Sequence, residues 1–167
     1  IDLAMFYLSE RRIIDALKAA QQRGVVMRVV LDPNKDAFGW KKNGIPNRPV
    51  AKDLVRAGVP VRWCDTHGEQ CHNKTLMVRK SGGEVHLMAG SANFTRRNLN
   101  DLNLETDVLI RTTLGTEVAT SALRHFNRVW LNEEGRAFTV DYKRYADSSL
   151  FKSFLYHVQE RTGMSTF

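Results

Sequence analysis

His72-Asn73-Lys74 places an imidazole and an ammonium two residues apart, directly before the apolar run Thr75–Val78. If that run is a strand, side chains alternate across it, and His72 and Lys74 project to the same side. An imidazole beside a fixed cation suits attack on a phosphodiester, with the ring nitrogen as nucleophile and the cation stabilising the phosphoryl oxygens. Taken alone, the pair reads more readily as a surface histidine next to a surface lysine. The next apolar run, Val85–Ala89, changes that balance, because it ends in Gly90-Ser91-Ala92-Asn93-Phe94-Thr95. Gly90 permits a tight backbone turn, and Ser91 and Asn93 offer short polar donors at a strand end. Glu105, twelve residues past Asn93, opens a further strand. A carboxylate there can hold the second imidazole nitrogen and fix the tautomer.

Positioning these groups needs a sheet, and the hydrophobic pattern supplies one. Residues 1–8 read as a buried strand. Ser9 is the expected N-cap of a helix carrying Ile13, Ile14, Leu17 and Ala20 at helical spacing, with Gly24 as its stop. Val25–Leu31 is a β-branched run halted by Asp32-Pro33, so strand, helix and strand suggest a parallel βαβ unit. Residues 33–49 carry three of the four prolines and read as a long loop. A short helix over Val50–Ala57 and a strand over Val59–Cys64 follow. Ser81-Gly82-Gly83 marks a hairpin turn between Thr75–Val78 and Val85–Ala89. Glu105–Ile110 is a further strand. Val118, Ala122, Phe126 and Val129 mark a second long helix, and Leu150, Phe151, Phe154, Leu155 and Val158 a third. The expected fold is α/β, a mixed, largely parallel sheet flanked by helices. The 167 residues form a single domain with a C-terminal helical extension from about residue 132.

Lys and Arg outnumber Asp and Glu by 25 to 18, and the net charge of +7 favours anionic partners such as phosphodiesters, nucleic acid or acidic lipid. The longest uncharged apolar run, Leu3–Leu8, falls far short of the roughly 20 residues of a membrane-spanning helix. The chain opens at Ile1 directly in that apolar segment, which reads as the start of an excised piece. Cys64 and Cys71 are compatible either with a disulfide or with two thiols.

His72-x-Lys74, Gly90-Ser91-x-Asn93 and Asn103-x-Glu105 together resemble the signature of the phospholipase D superfamily. The resemblance extends through Leu17–Ala20, Arg23-Gly24-Val25, Gly58–Arg62, and Phe126 with Trp130, and so covers most of residues 1–131. It implies a two-step mechanism with no metal or other cofactor. His72 attacks phosphorus to form a phosphohistidine, Lys74, Asn93 and Ser91 hold the phosphoryl oxygens, and Glu105 orients His72. A second histidine, from a second copy of the motif, protonates the leaving alcohol. None of His67, His86, His125 and His157 sits in an H-x-K setting, so the chain is expected to carry half a site. The other half would come from the rest of a longer two-motif chain, with this segment as its C-terminal half, or from a homodimer mate. One departure stands out: Arg79 occupies the position five residues after the lysine where the family usually has an acid.

The implied activity is phospholipid head-group cleavage or transfer, with a dimeric endonuclease as the alternative. The 33–49 loop weighs towards lipid, because Phe38 and Trp40 are suited to peripheral contact with a membrane interface. Resemblance to bacterial members leaves cytoplasm, periplasm and membrane surface open as locations. Two rival classes remain. Cys64, His67, Cys71 and His72 offer four zinc ligands, but all crowd one loop and adjacent Cys71 and His72 would diverge if extended. Arg79 is the one feature favouring a non-catalytic scaffold half.

Overall fold

The computed structural model describes residues 1–37, 40–41, 43–100, 102–147 and 149–162. Its centre is a seven-stranded sheet in the order β8-β7-β6-β1-β2-β5-β9. Strand β1 (Asp2–Met5) runs parallel to β2 (Arg28–Leu31), which runs parallel to β5 (Val61–Cys64). The expected βαβ unit is present. Strands β6 (Lys74–Arg79), β7 (Glu84–Gly90) and β8 (Asp107–Thr113) continue from β1 as an antiparallel meander. The sheet is therefore mixed, and its parallel part is confined to three strands rather than dominating.

Alternation sorts the strand residues onto two faces. Leu3, Met5, Val29, Leu31, Val61 and Trp63 form one buried cluster with Ile14 and Leu17 of helix α1 (Arg11–Gln22) and Val50 and Leu54 of helix α2 (Asn47–Arg56). On the other face Ala4, Val30 and Cys64 pack with Phe126, while Met77 and Val85 meet Ala119, both from helix α4 (Glu117–Leu131).

Several boundaries differ from expectation for local reasons. Glu10, not Ser9, caps α1, its carboxylate accepting from Arg12 N, while Ser9 is fully buried. The 33–49 segment contains the two-stranded pair β3 (Asp36–Ala37) and β4 (Trp40–Lys41) and the first turn of α2. Phe38 and the Trp40 side chain, invoked above for membrane contact, lie outside the described residues. A one-turn helix α3 (Arg96–Leu99), capped by the Thr95 side chain, follows the Gly90–Asn93 turn. The residues after 131 are not purely helical. Strand β9 (Thr139–Asp141) pairs antiparallel with β5 before helix α5 (Leu150–Thr162), whose Tyr156 and Leu155 join the α1–α2 core. None of the helices among the described residues is long and apolar enough to cross a membrane.

Candidate active site

Lys74 opens β6 opposite Met5, the last residue of β1. Its side chain therefore emerges at the carboxyl end of the parallel strands, where α/β sheets bind ligands. Lys74 is buried and His72 exposed, and the Lys74 Nζ to His72 Nε2 distance is 2.9 Å, so the expected same-side pairing is present. An ammonium has only donors, so Nε2 must present its lone pair to it, leaving the ring proton on Nδ1. Partial burial, and then the charge of Lys74, hold the His72 pKa below the ordinary imidazole value. Burial also lowers the Lys74 pKa, and the negative charge of Glu105 opposes that shift. The Phe6 ring supports both groups, with its centroid 4.8 Å from that of His72 and 5.4 Å from Lys74 Nζ.

The second cluster hangs from the end of β7. Gly90 takes no positive φ. A Cβ there would collide with the backbone and side chain of Asp107 and with the Thr106 carbonyl, so glycine is needed for the close approach of β8. Ser91 Oγ donates to Glu105 Oε2 at 2.6 Å and accepts from Thr106 N at 2.9 Å. Asn98 Nδ2 donates to the other Glu105 oxygen. Among the described residues, the carboxylate is thus held by Ser91 and Asn98 rather than by His72, and the expected orienting bond is replaced by this bracket. Ser91 correspondingly directs its hydroxyl proton at Glu105 and not at an open phosphoryl position. Glu105 also precedes β8 instead of opening it. Asn93 Oδ1 accepts from Tyr7 N at 3.1 Å, which fixes the orientation of its amide.

Asp32, Asn34 and Asn47 form a buried polar network under the site that the sequence reading did not single out. Asn47 Nδ2 donates to the carbonyls of Phe6 and Asp32 at 2.6 and 2.8 Å, its Oδ1 accepts from Leu8 N, and Asn34 Nδ2 donates to Phe6 O. These bonds satisfy the backbone of Phe6–Leu8, the segment that carries the Phe6 ring and the Tyr7 amide. The turn signal Asp32-Pro33-Asn34 was the visible clue. Asn98 was also missed, being three residues beyond its capping partner Thr95.

Cys64 and Cys71 form a disulfide, so both sulfurs are committed to each other and the four-ligand zinc arrangement is not available. Asp32 Oδ2 accepts from Cys71 N at 2.7 Å, anchoring the loop next to His72. Arg79 pairs with buried Asp2, as does Arg28, at the end of β6 away from Lys74. At the position of the family acid, Arg79 thus ties β6 to β1 through an ion pair with Asp2. Of the other histidines, His67 faces Asp65, His86 bonds Glu84, and His125 lines a cavity of about 210 Å³ behind the sheet. His157 is exposed on α5. His72 and Ser91 are exposed, and Leu102, Leu104, Val108 and Leu109, close to Glu105 in sequence, expose apolar surface.

Residues 1–130 match the family described as "Cardiolipin synthase, PLD-like domain". No curated protein matches the chain. Among solved structures, the fold is similar to a phospholipase D family member, Nuc from Salmonella typhimurium, at TM-score 0.58 and 22% identity, over 84% of this chain and 79% of that one. NucT from Helicobacter pylori is similar at TM-score 0.58 and 15% identity, over 84% and 80%. Polyphosphate kinase from Porphyromonas gingivalis is similar at TM-score 0.53 and 16% identity, over 99% of this chain and 24% of that one.

Proposed function

The chain belongs to the PLD-like domain family, and from that premise we propose that it is a phosphodiesterase half-site that forms a phosphohistidine on His72. The carrying observation is the 2.9 Å contact between His72 Nε2 and Lys74 Nζ, with the lone pair on Nε2. Nε2 attacks phosphorus, the N–P bond forms, and the P–O bond to the leaving alcohol breaks. Lys74 turns from Nε2 to a phosphoryl oxygen as the charge develops there, and Asn93 Nδ2 donates to a second oxygen. Glu105, bracketed by Ser91 and Asn98, keeps Lys74 protonated in its buried setting. Water then attacks phosphorus, giving its proton to the second half's histidine that the first step left unprotonated; the N–P bond breaks, and His72 is regenerated.

The leaving alkoxide needs a proton that His72 cannot give while it is bonded to phosphorus. The donor is the histidine of a second motif-bearing half, and the simplest source is a second copy of this chain. Two features support that source: the exposed apolar residues close to Glu105 in sequence, and the coverage of Nuc and NucT over most of their own length. The substrate we favour is a phospholipid head-group diester, which agrees with the description of the matching family and with the net charge of +7. Nucleic acid is the second reading, favoured by Arg96 and Arg97 directly after the Gly90–Thr95 turn.

The test is to present labelled phosphatidylglycerol vesicles and plasmid DNA to the purified chain, quench, and map phosphorylated residues by mass spectrometry. Phosphate on His72 with lipid turnover is expected. Cleavage of DNA alone would sink the lipid reading, and modification anywhere but His72 would sink the mechanism.

A further inference from the structure

Helix α5 lies outside the family-matched residues 1–130, yet it reaches the strand end that carries the candidate site. Tyr156 is fully buried, and its hydroxyl donates to the Ser9 carbonyl at 2.8 Å. Ser9 N and Glu10 N both donate to the Phe94 carbonyl, at 2.8 and 2.9 Å. Phe94 N donates to Tyr7 O at 3.1 Å, and Tyr7 N donates to Asn93 Oδ1 at 3.1 Å. A second tie runs beside the first: Arg96 Nη1 donates to the Glu160 carbonyl of α5 at 3.2 Å.

We infer that α5 is a built-in brace for the Asn93–Asn98 turn, and that Tyr156 is a positioning residue for Asn93. This rests on the phosphodiesterase reading of the site. The physical reason lies in the backbone of Ser9 and Phe94. Both residues are buried, so their polar groups must find protein partners, and the bonds available form one continuous path from the phenol to the Asn93 amide. Removing the phenol hydroxyl leaves the Ser9 carbonyl without that donor and loosens the path at its far end. Asn93 then loses its fixed amide orientation, and its Oδ1 and Nδ2 become free to exchange places.

Two readouts on the full 167-residue chain test this. In Tyr156→Phe, amide hydrogen exchange at Tyr7, Phe94 and their neighbours to Asn98 should accelerate at least tenfold, while amides in β2 and β5 stay within twofold. Uniform acceleration, or none, would overturn the brace. Arg96→Gln, which removes the second tie to the Glu160 carbonyl without touching the core, should give the same local pattern if the phenylalanine variant folds poorly. In turnover of bis(4-nitrophenyl) phosphate, Tyr156→Phe should lower kcat roughly fivefold to tenfold with KM unchanged. The same change made in an Asn93→Ala background should have no further effect. Full additivity of the two substitutions overturns positioning through Asn93. A wild-type chain that turns over no phosphodiester counts against the phosphodiesterase reading, while the exchange measurement still decides the brace.

Discussion

Strands β1, β2 and β5 bury nearly every side chain on both faces, whereas β8, at the far end of the same sheet, exposes five of its seven residues. Neighbours Val108 and Leu109 of β8 point to opposite faces, yet both are more than half exposed, at 57% and 55%. The parallel part is sandwiched between α1–α2 and the end of α4, and its packing is complete. The antiparallel part is covered by α4 on one face only as far as β7. The candidate site sits where these two parts join: His72, Lys74 and the Phe6 ring lie at the β1–β6 end, while Ser91 and Glu105 flank the β7–β8 end. Stability and chemistry are thus separated within a single sheet.

The sharpest break of this comparison is His72→Ala. It should abolish turnover by at least about 10⁴-fold, in line with the loss of a covalent nucleophile elsewhere, and leave the melting temperature unchanged, because the ring is exposed. Next in size is a paired charge on the edge, Val108→Asp with Leu109→Asp. Sedimentation should show loss of self-association, and turnover should fall by about 10²- to 10⁴-fold, the worth of the missing acid. A stable monomer in the wild type would refute pairing of copies. On the finished side, Leu31→Ala should cost about 2–5 kcal/mol in urea unfolding, since Leu31 is fully buried. Val108→Ala should change stability by less than about 0.5 kcal/mol.

A pH profile refines the boundary between the two parts. Attack requires unprotonated His72, and the folded structure holds its pKa down through burial and Lys74. The acid limb of kcat/KM should therefore lie below the ordinary imidazole midpoint of about 6.5. Lys74→Gln should move that limb to higher pH without fully restoring the ordinary value, because the burial contribution stays. Arg79→Gln has the smallest expected effect on turnover. Buried Asp2 keeps Arg28, so turnover should stay within about twofold and unfolding should lose no more than the roughly 1 kcal/mol expected of a partly exposed ion pair.

Legibility in the sequence followed the range of the interaction. Helix α1, strand β2, the Gly82-Gly83 hairpin and the H-x-K pairing were readable because hydrophobic period, turn chemistry and side-chain alternation act over a few residues. The β9 strand was not, since three residues acquire strand character only by pairing with β5 across the fold. The Asp32–Asn34–Asn47 network was hidden for a similar reason: three Asx residues in a proline-rich stretch look like an exposed loop until the backbone of Phe6–Leu8 is seen to need them.

Residue types and spacing alone determined that the chain can present an imidazole and an ammonium on one side of a strand, followed by a glycine-serine-asparagine turn. Tertiary structure decided what each partner does. It gave Glu105 to Ser91 and Asn98 instead of His72, committed Cys64 and Cys71 to each other, placed Arg79 on Asp2, and brought Tyr156 against Ser9. The physical reason is that a strand's period is local, whereas the pairing of a polar group depends on which distant residue reaches it once water has been excluded.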